Sequence, residues 1–438
     1  MSSYAIRLCA SKVFSQNTAH FSILKTFQHG NCLPAIRTKC LQSYWTSTKQ
    51  LKSQKSKLLS TVARFLQPLR HCSSSAKPTP GTLSPDIPLY AQKHVGRWLM
   101  ACAGMCFGAV TLGGITRLTE SGLSMVDWKL FRDMTPPWSQ EQWIKEFETY
   151  KSFPEYQYIA KERDMTLNDF KFIWYTEWFH RLWGRTTGMV FLLPALFFLK
   201  KGWISKAMKP RLAVYAVLLG FQGFLGWYMV KSGLQDQPES TDVPRVSQYR
   251  LMSHLGAAFA LYALFLWQGL SHLLTAVKLP QTKQISKLRM YSHAMMPLVF
   301  LVSMSGAFVA GLDAGLTYNT WPKMADKWIP DDLITMKPKW KNLFENPTTV
   351  QFIHRNFAES AVVIIAGFWW MCRKAPLPPR ARLAVNCLFG MSIVQATLGI
   401  STLLMHVPVS LASTHQSGSL VLMSFAIWLA HELRRLPK

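Results

Sequence analysis

Glu177-Trp178-Phe179-His180-Arg181 leads into a long apolar run at 189–199, and Gln351-Phe352-Ile353-His354-Arg355 leads into a second at 362–371. Neither run has the polar face that a helix at the surface of a water-soluble protein carries. A bilayer core of ~30 Å takes roughly 20 apolar residues in helix. Eight stretches of the chain meet that requirement, at 95–117, 177–199, 211–231, 251–274, 290–311, 351–372, 382–404 and 409–431, with few charges away from their ends. The sequence predicts an all-α integral membrane protein with eight transmembrane helices.

Outward from the two histidine-arginine pairs, the chain repeats itself. Gly113, Gly122, Leu123 and Trp128 recur as Gly306, Gly315, Leu316 and Trp321, each 193 residues later. His180-Arg181 recurs as His354-Arg355 at an offset of 174, Gln222, Leu225 and Gly226 recur as Gln395, Leu398 and Gly399 at 173, and His254 recurs as His415 at 161. The offset shrinks only across the outer loops, so the helices keep register. Two tandem-duplicated four-helix bundles of parallel topology follow from an even number of spans per repeat.

The first 85 residues have a different character: they are basic, rich in Ser and Thr, and hold no acid before Asp86. That is the composition of a mitochondrial transit peptide. The chain therefore divides into a transit peptide (1–76), a Pro-rich matrix spacer (77–94), an N-terminal four-helix half (95–275), a matrix linker (276–289), a C-terminal four-helix half (290–433) and a short matrix tail (434–438). Much of the net charge of +27 belongs to the transit segment, so it argues weakly for a nucleic-acid partner, and none is expected. The eight cysteines are scattered; Cys102 and Cys106, four apart in a span, have the spacing of neighbours on one helix face.

Loop charge sets an orientation. The loops after the second, fourth and sixth spans carry Lys200, Lys201, Lys206, Lys209 and Arg211, then Lys278, Lys283, Lys287 and Arg289, then Arg373, Lys374, Arg380 and Arg382, with no acid among them. By the positive-inside rule they face the matrix, as do both termini. The acid-bearing loops after the odd spans face the intermembrane space, with Trp128 and Trp321 as candidate interfacial anchors.

His180, His254, His354 and His415 each stand near the outer end of an even-numbered span. An imidazole in a membrane helix is costly unless it is paired or functional. Axial ligation of heme needs two nitrogens approaching iron from opposite sides, which suits histidines on facing helices of one bundle. His180 with His254 and His354 with His415 meet that need at one depth, whereas the further soft or carboxylate ligands that zinc or copper would want are not seen nearby. Arg181 and Arg355 are candidate partners of heme propionates or of the interface. His20, His29, His71, His94, His272, His293, His406 and His431 have no counterpart in the other half and are assigned ordinary roles.

The halves differ three residues before each His-Arg. Glu177 shares a helix face with His180 at i and i+3, and its counterpart is the non-titrating Gln351. A carboxylate beside a metal site can shuttle protons or stabilise developing positive charge. Glu359, five residues after His354, points to another face. The first pair thus reads as a reacting site and the second as a permanent electron carrier.

The segments Gly113-Gly-Ile-Thr-Arg-Leu-Thr-Glu-Ser-Gly-Leu-Ser124 and Phe172-Ile-Trp-Tyr-Thr-Glu177-Trp-Phe-His180-Arg-Leu-Trp-Gly-Arg185, with the later histidines, resemble the heme A synthases of the mitochondrial inner membrane over about residues 95–433. The resemblance implies oxidation of substrate heme O to heme A, turning a ring methyl into a formyl group by successive hydroxylations and loss of water. It implies substrate between His180 and His254, heme b as cofactor between His354 and His415, and Glu177 as the catalytic acid. It further suggests a ferredoxin system as electron donor, and leaves open both self-association and contact with the farnesyltransferase that makes heme O. Some bacterial members carry a cysteine pair in the outer loop of each half; this chain has none there, so the resemblance does not extend to a thiol-dependent step. Two other classes fit the paired histidines: a di-heme quinol oxidoreductase of cytochrome b type, which predicts equivalent halves, and a non-catalytic heme carrier.

Overall fold

A computed structural model describes residues 87–125, 135–153, 155–157, 164–233 and 246–435. The expected transit peptide, Trp128 and the acids Asp236, Glu239 and Asp242 lie outside the described residues. Within them the chain is helical and has no named strand; the long helices are α1 Leu89–Leu118, α2 Leu167–Lys200, α3 Met208–Gly233, α4 Gln248–Leu273, α5 Lys283–Gly311, α6 Pro347–Cys372, α7 Pro379–Leu404 and α8 Val409–Leu433.

Each of the eight apolar stretches falls on one of these helices, and several helices overrun their stretch at the outer end. α2 begins ten residues before the expected span because Thr166 and Asp169 form a capping box, the hydroxyl accepting from the Asp169 amide while the carboxylate accepts from the Thr166 amide. It ends where Gly202 takes φ +68°, its N–H bonding Leu199 O while that of Trp203 bonds Phe198 O, a Schellman closure. α6 opens on Asn346, whose side chain accepts from the amides of Thr348 and Thr349, with Pro347 following. A cap of that kind is worth about 1 kcal/mol.

Six of the eight, α1 to α5 and α7, are long and apolar enough to cross a membrane. The expectation of eight narrows here: α6 and α8 fall outside that set, and both carry polar side chains in their first half. His354, Arg355, Asn356 and Glu359 stand in α6, and Ser410, Ser413, Thr414, His415, Gln416 and Ser417 in α8. These two helices hold the second histidine pair.

Contacts run α1–α2–α3–α4 and back to α1, and likewise α5–α6–α7–α8 and back to α5. Between these sets α4 meets α5, α8 meets α1, and α4 meets α8, a pattern unchanged when the sets are exchanged. Without a hydrophobic drive in lipid, helix association rests on close packing and interhelical hydrogen bonds of roughly 1 kcal/mol each. Trp98 Nε1 donates to Val190 O and Trp183 Nε1 to Met105 O, both at 2.8 Å. The Tyr262 and Ser424 hydroxyls join the sets at 2.6 Å, as do those of Thr111 and Ser417 at 2.9 Å. Beyond α1, a helix at Gln140–Lys151 buries Trp143, Phe147 and Tyr150 against Phe170, Ile173 and Trp174 of α2. That cluster caps the end of the first set at which α2 begins.

Candidate functional site

The repeated glycines are the seats of the four histidines. A Cβ placed on Gly113 of α1 would lie 3.0 Å from His180 Cε1, and one on Gly306 of α5 would lie 3.0 Å from His354 Cε1. Gly399 of α7 faces His415 Cε1 at 2.9 Å, and Gly226 of α3 faces His254 Cε1 at 3.6 Å. At the first three spacings a side chain would fit only if the imidazole shifted. Gln222 Nε2 donates to the His254 carbonyl at 3.1 Å, and Gln395 Nε2 to that of His415 at 2.7 Å. Gly113, Gly226, Gln222 and their counterparts were legible as markers of the repeat; that they seat the imidazoles was not.

His254 lies within electrostatic reach of His180, and His354 within reach of His415, so the pairs expected from sequence are brought together. Nδ1 distinguishes three of the four from His94, His272, His293 and His431. Nδ1 of His180, His254 and His415 is buried without a hydrogen-bond partner. His94, His272 and His293 instead bond the carbonyl four residues back, of Tyr90, Gln268 and Arg289, at 2.8, 2.8 and 2.9 Å. His431 is held by Ser271 and Arg434. A buried imidazole with no partner is expensive. Ligation through the opposite ring nitrogen would offset that cost without satisfying Nδ1 itself, and two rings per site suit a heme held from both sides. Among the described residues no group of three or more His, Cys, Asp or Glu is placed to hold a bare metal ion.

Around the first pair, Glu177 is 4% exposed. Arg181 Nε donates to its Oε1 at 2.6 Å, and Arg181 Nη2 donates to Met125 O at 2.7 Å. Arg181 is therefore engaged by the acid and by the outer loop. At the matching positions of the second set, Gln351 Nε2 donates to Tyr318 O at 3.0 Å. Arg355 Nη2 donates to Pro322 O at 3.0 Å, while its Nη1 is buried without a partner. Glu359 accepts from Trp321 Nε1 at 2.9 Å, away from the histidines.

One acid escaped the sequence reading. Glu155, in the outer segment beyond the Gln140–Lys151 helix, is 7% exposed, hydrogen-bonds the Tyr150 hydroxyl and leaves Oε2 without a partner. Burial, reinforced by the Glu120 charge, pushes its carboxyl up to about 8, and Glu177 adds in the same direction. Only its aromatic surroundings, Phe153 and Tyr156, could have marked it.

The molecule so described is, over the described residues, an all-helical, multi-spanning protein that holds two part-buried histidine pairs of unequal surroundings. The chain belongs to the family of cytochrome oxidase assembly proteins, COX15-CtaA, whose model matches residues 96–427. It is 56% identical over 348 residues to Heme A synthase COX15 of Mus musculus, covering 80% of this chain and 84% of that one. Heme A synthase COX15 of Homo sapiens is 55% identical over the same length and shares. A bacterial relative, Heme A synthase of Nitrosospira multiformis, is 44% identical over 350 residues, covering 80% of this chain and 96% of its own.

Proposed function

We infer that the chain is a heme A synthase of the mitochondrial inner membrane, oxidising a ring methyl of heme O to the formyl group of heme A by successive hydroxylations and loss of water. Its relatives carry that name, and one observation carries the assignment of roles: a buried Glu177–Arg181 pair beside one histidine pair only. In this reading His180 and His254 hold the substrate, and His354 and His415 hold heme b. Heme b between the second pair supplies one-electron transfer to a reaction that needs it.

The residues then divide the work. His180 and His254 fix the substrate between α2 and α4, and Arg181 holds the Glu177 carboxylate through Nε. Glu177 takes up and returns protons as the methyl carbon is oxidised. Gln351, which cannot titrate, stands in its place in the second set. Arg355 Nη1 is the donor left for a propionate of heme b, whose planar carboxylate suits the guanidinium fork. The cap formed by Trp143, Phe147 and Phe170 shields the first site from the aqueous side.

All eight long helices span the bilayer in this reading, as two duplicated bundles, with α6 and α8 shielded by their neighbours where they are polar. The basic connections after α2, α4 and α6 lie at the end opposite the histidines, which supports a reading with those loops and both termini in the matrix. Pigments extracted from membranes with and without the chain test the function. Loss of heme A with accumulation of heme O is expected on removal, and unchanged pigments would overturn the assignment.

A further inference from the structure

His354 is the one member of the four with a side-chain hydroxyl at Nδ1, and the rings of His354 and His415 also interact with the backbone at Val302 and Gln395. Ser305 Oγ lies 2.8 Å from His354 Nδ1, and the same hydroxyl lies 2.7 Å from Val302 O. The serine proton goes to the carbonyl, so Oγ presents a lone pair to the ring. By the offset that relates Gly113 to Gly306, the counterpart of Ser305 is Leu112, which has no acceptor, and His180 Nδ1 is correspondingly unpartnered. The two glycine seats are alike at 3.0 Å, so the rings stand alike over their glycines and differ in the hydrogen bond at Nδ1.

We propose that Ser305 is a positioning residue that makes the second site a resident heme site, while Leu112 keeps the first site exchangeable. The inference rests on the ligand assignment above and adds a reason why the two pairs behave differently. A ligating histidine that donates its other N–H is fixed in tautomer and orientation and becomes a more basic ligand, and loss of such a partner costs ~10–100-fold in metal affinity. Stronger donation also favours the oxidised iron and lowers the reduction potential. A cofactor must stay bound through every turnover. A substrate heme must enter and a product heme must leave, so a ligand without that support suits the first site.

The test uses the purified full-length protein with its bound heme. In Ser305→Ala, transfer of the second-site heme to excess apomyoglobin should run at least about tenfold faster. The low-spin optical signal should persist, and its midpoint potential should move positive. Ser305→Thr keeps the hydroxyl and should behave as the parent, and Leu112→Ser should slow heme loss from the first site. Parental potential and transfer rate in a folded Ser305→Ala protein would overturn the proposal. If that variant does not fold, a Leu112→Ser protein with unaltered heme loss would overturn it. His354→Ala separates the two layers: persistence of the second-site low-spin signal would overturn the ligand assignment itself, whereas its loss together with a silent Ser305→Ala would overturn the role of Ser305 alone.

Discussion

Arg181 donates through Nε to Glu177 Oε1 at 2.6 Å one helical turn away, and both side chains are almost fully buried. In the matching turn of the second set, Arg355 and Gln351 are turned outward to loop carbonyls, of Pro322 and Tyr318. Equivalent backbone thus carries a tight charge pair at one site and a loop-tied arginine and amide at the other. A buried pair costs desolvation on both partners, so its net contribution to stability is small. Such a pair is better suited to holding a carboxylate in one place.

Breaking that pair one partner at a time should be severe. Arg181→Ala leaves a buried carboxylate without its cation, at a cost of about 3–5 kcal/mol. Adding Glu177→Gln to it should restore part of the loss, because the residue left behind is neutral. A thermal melt of the two single variants and the double variant in detergent reads this coupling, and strict additivity would contradict it.

The glycine seats make a graded prediction. Gly399→Ala should displace His415, since the new Cβ would meet Cε1 at 2.9 Å, whereas Gly226→Ala should be accommodated at 3.6 Å. The low-spin heme spectrum of each purified variant measures it. Equal spectra for both would show that these glycines do not set the ring positions.

Glu155 predicts a pH dependence with a defined sign. Its carboxyl rises from the usual 4.5 to about 8 in the folded chain, first through burial and then through the Glu120 charge. The folded state therefore holds the proton more tightly than the unfolded state. The resulting stabilisation is full below about pH 4.5 and fades as pH climbs, until it is lost above about 8. Glu155→Gln should flatten the fall in melting temperature over that window, and an unaltered slope would remove Glu155 from the account.

Much of this was legible in the chain because the two repeats report on each other. The offsets of His180, His254, His354 and His415 gave the pairs, and the Glu177/Gln351 difference gave the asymmetry, since both are patterns of spacing along helices. Burial partners were not legible. Arg181 could serve a propionate, the interface or Glu177, and only the packed turn assigns it to Glu177. Ser305 is one of several serines in an apolar run, and its meaning depends on a ring contributed by another helix. The start of α2 was misjudged for a related reason: a capping box extends the helix through polar residues that an apolar window excludes. In α6 and α8, the same polar residues that build a site lower the apolar signal of a span.

The central claim is that the histidine pair beside Glu177 is where the substrate is oxidised. Its most direct measurement is chromatography of hemes extracted from mitochondrial membranes that carry Glu177→Gln, with Gln351→Glu as the companion variant. Glu177→Gln should lower heme A by about 10²-fold or more and let heme O accumulate, with both histidine pairs still binding heme. Gln351→Glu should leave heme A formation in place. Normal heme A in the Glu177→Gln membranes would contradict the claim.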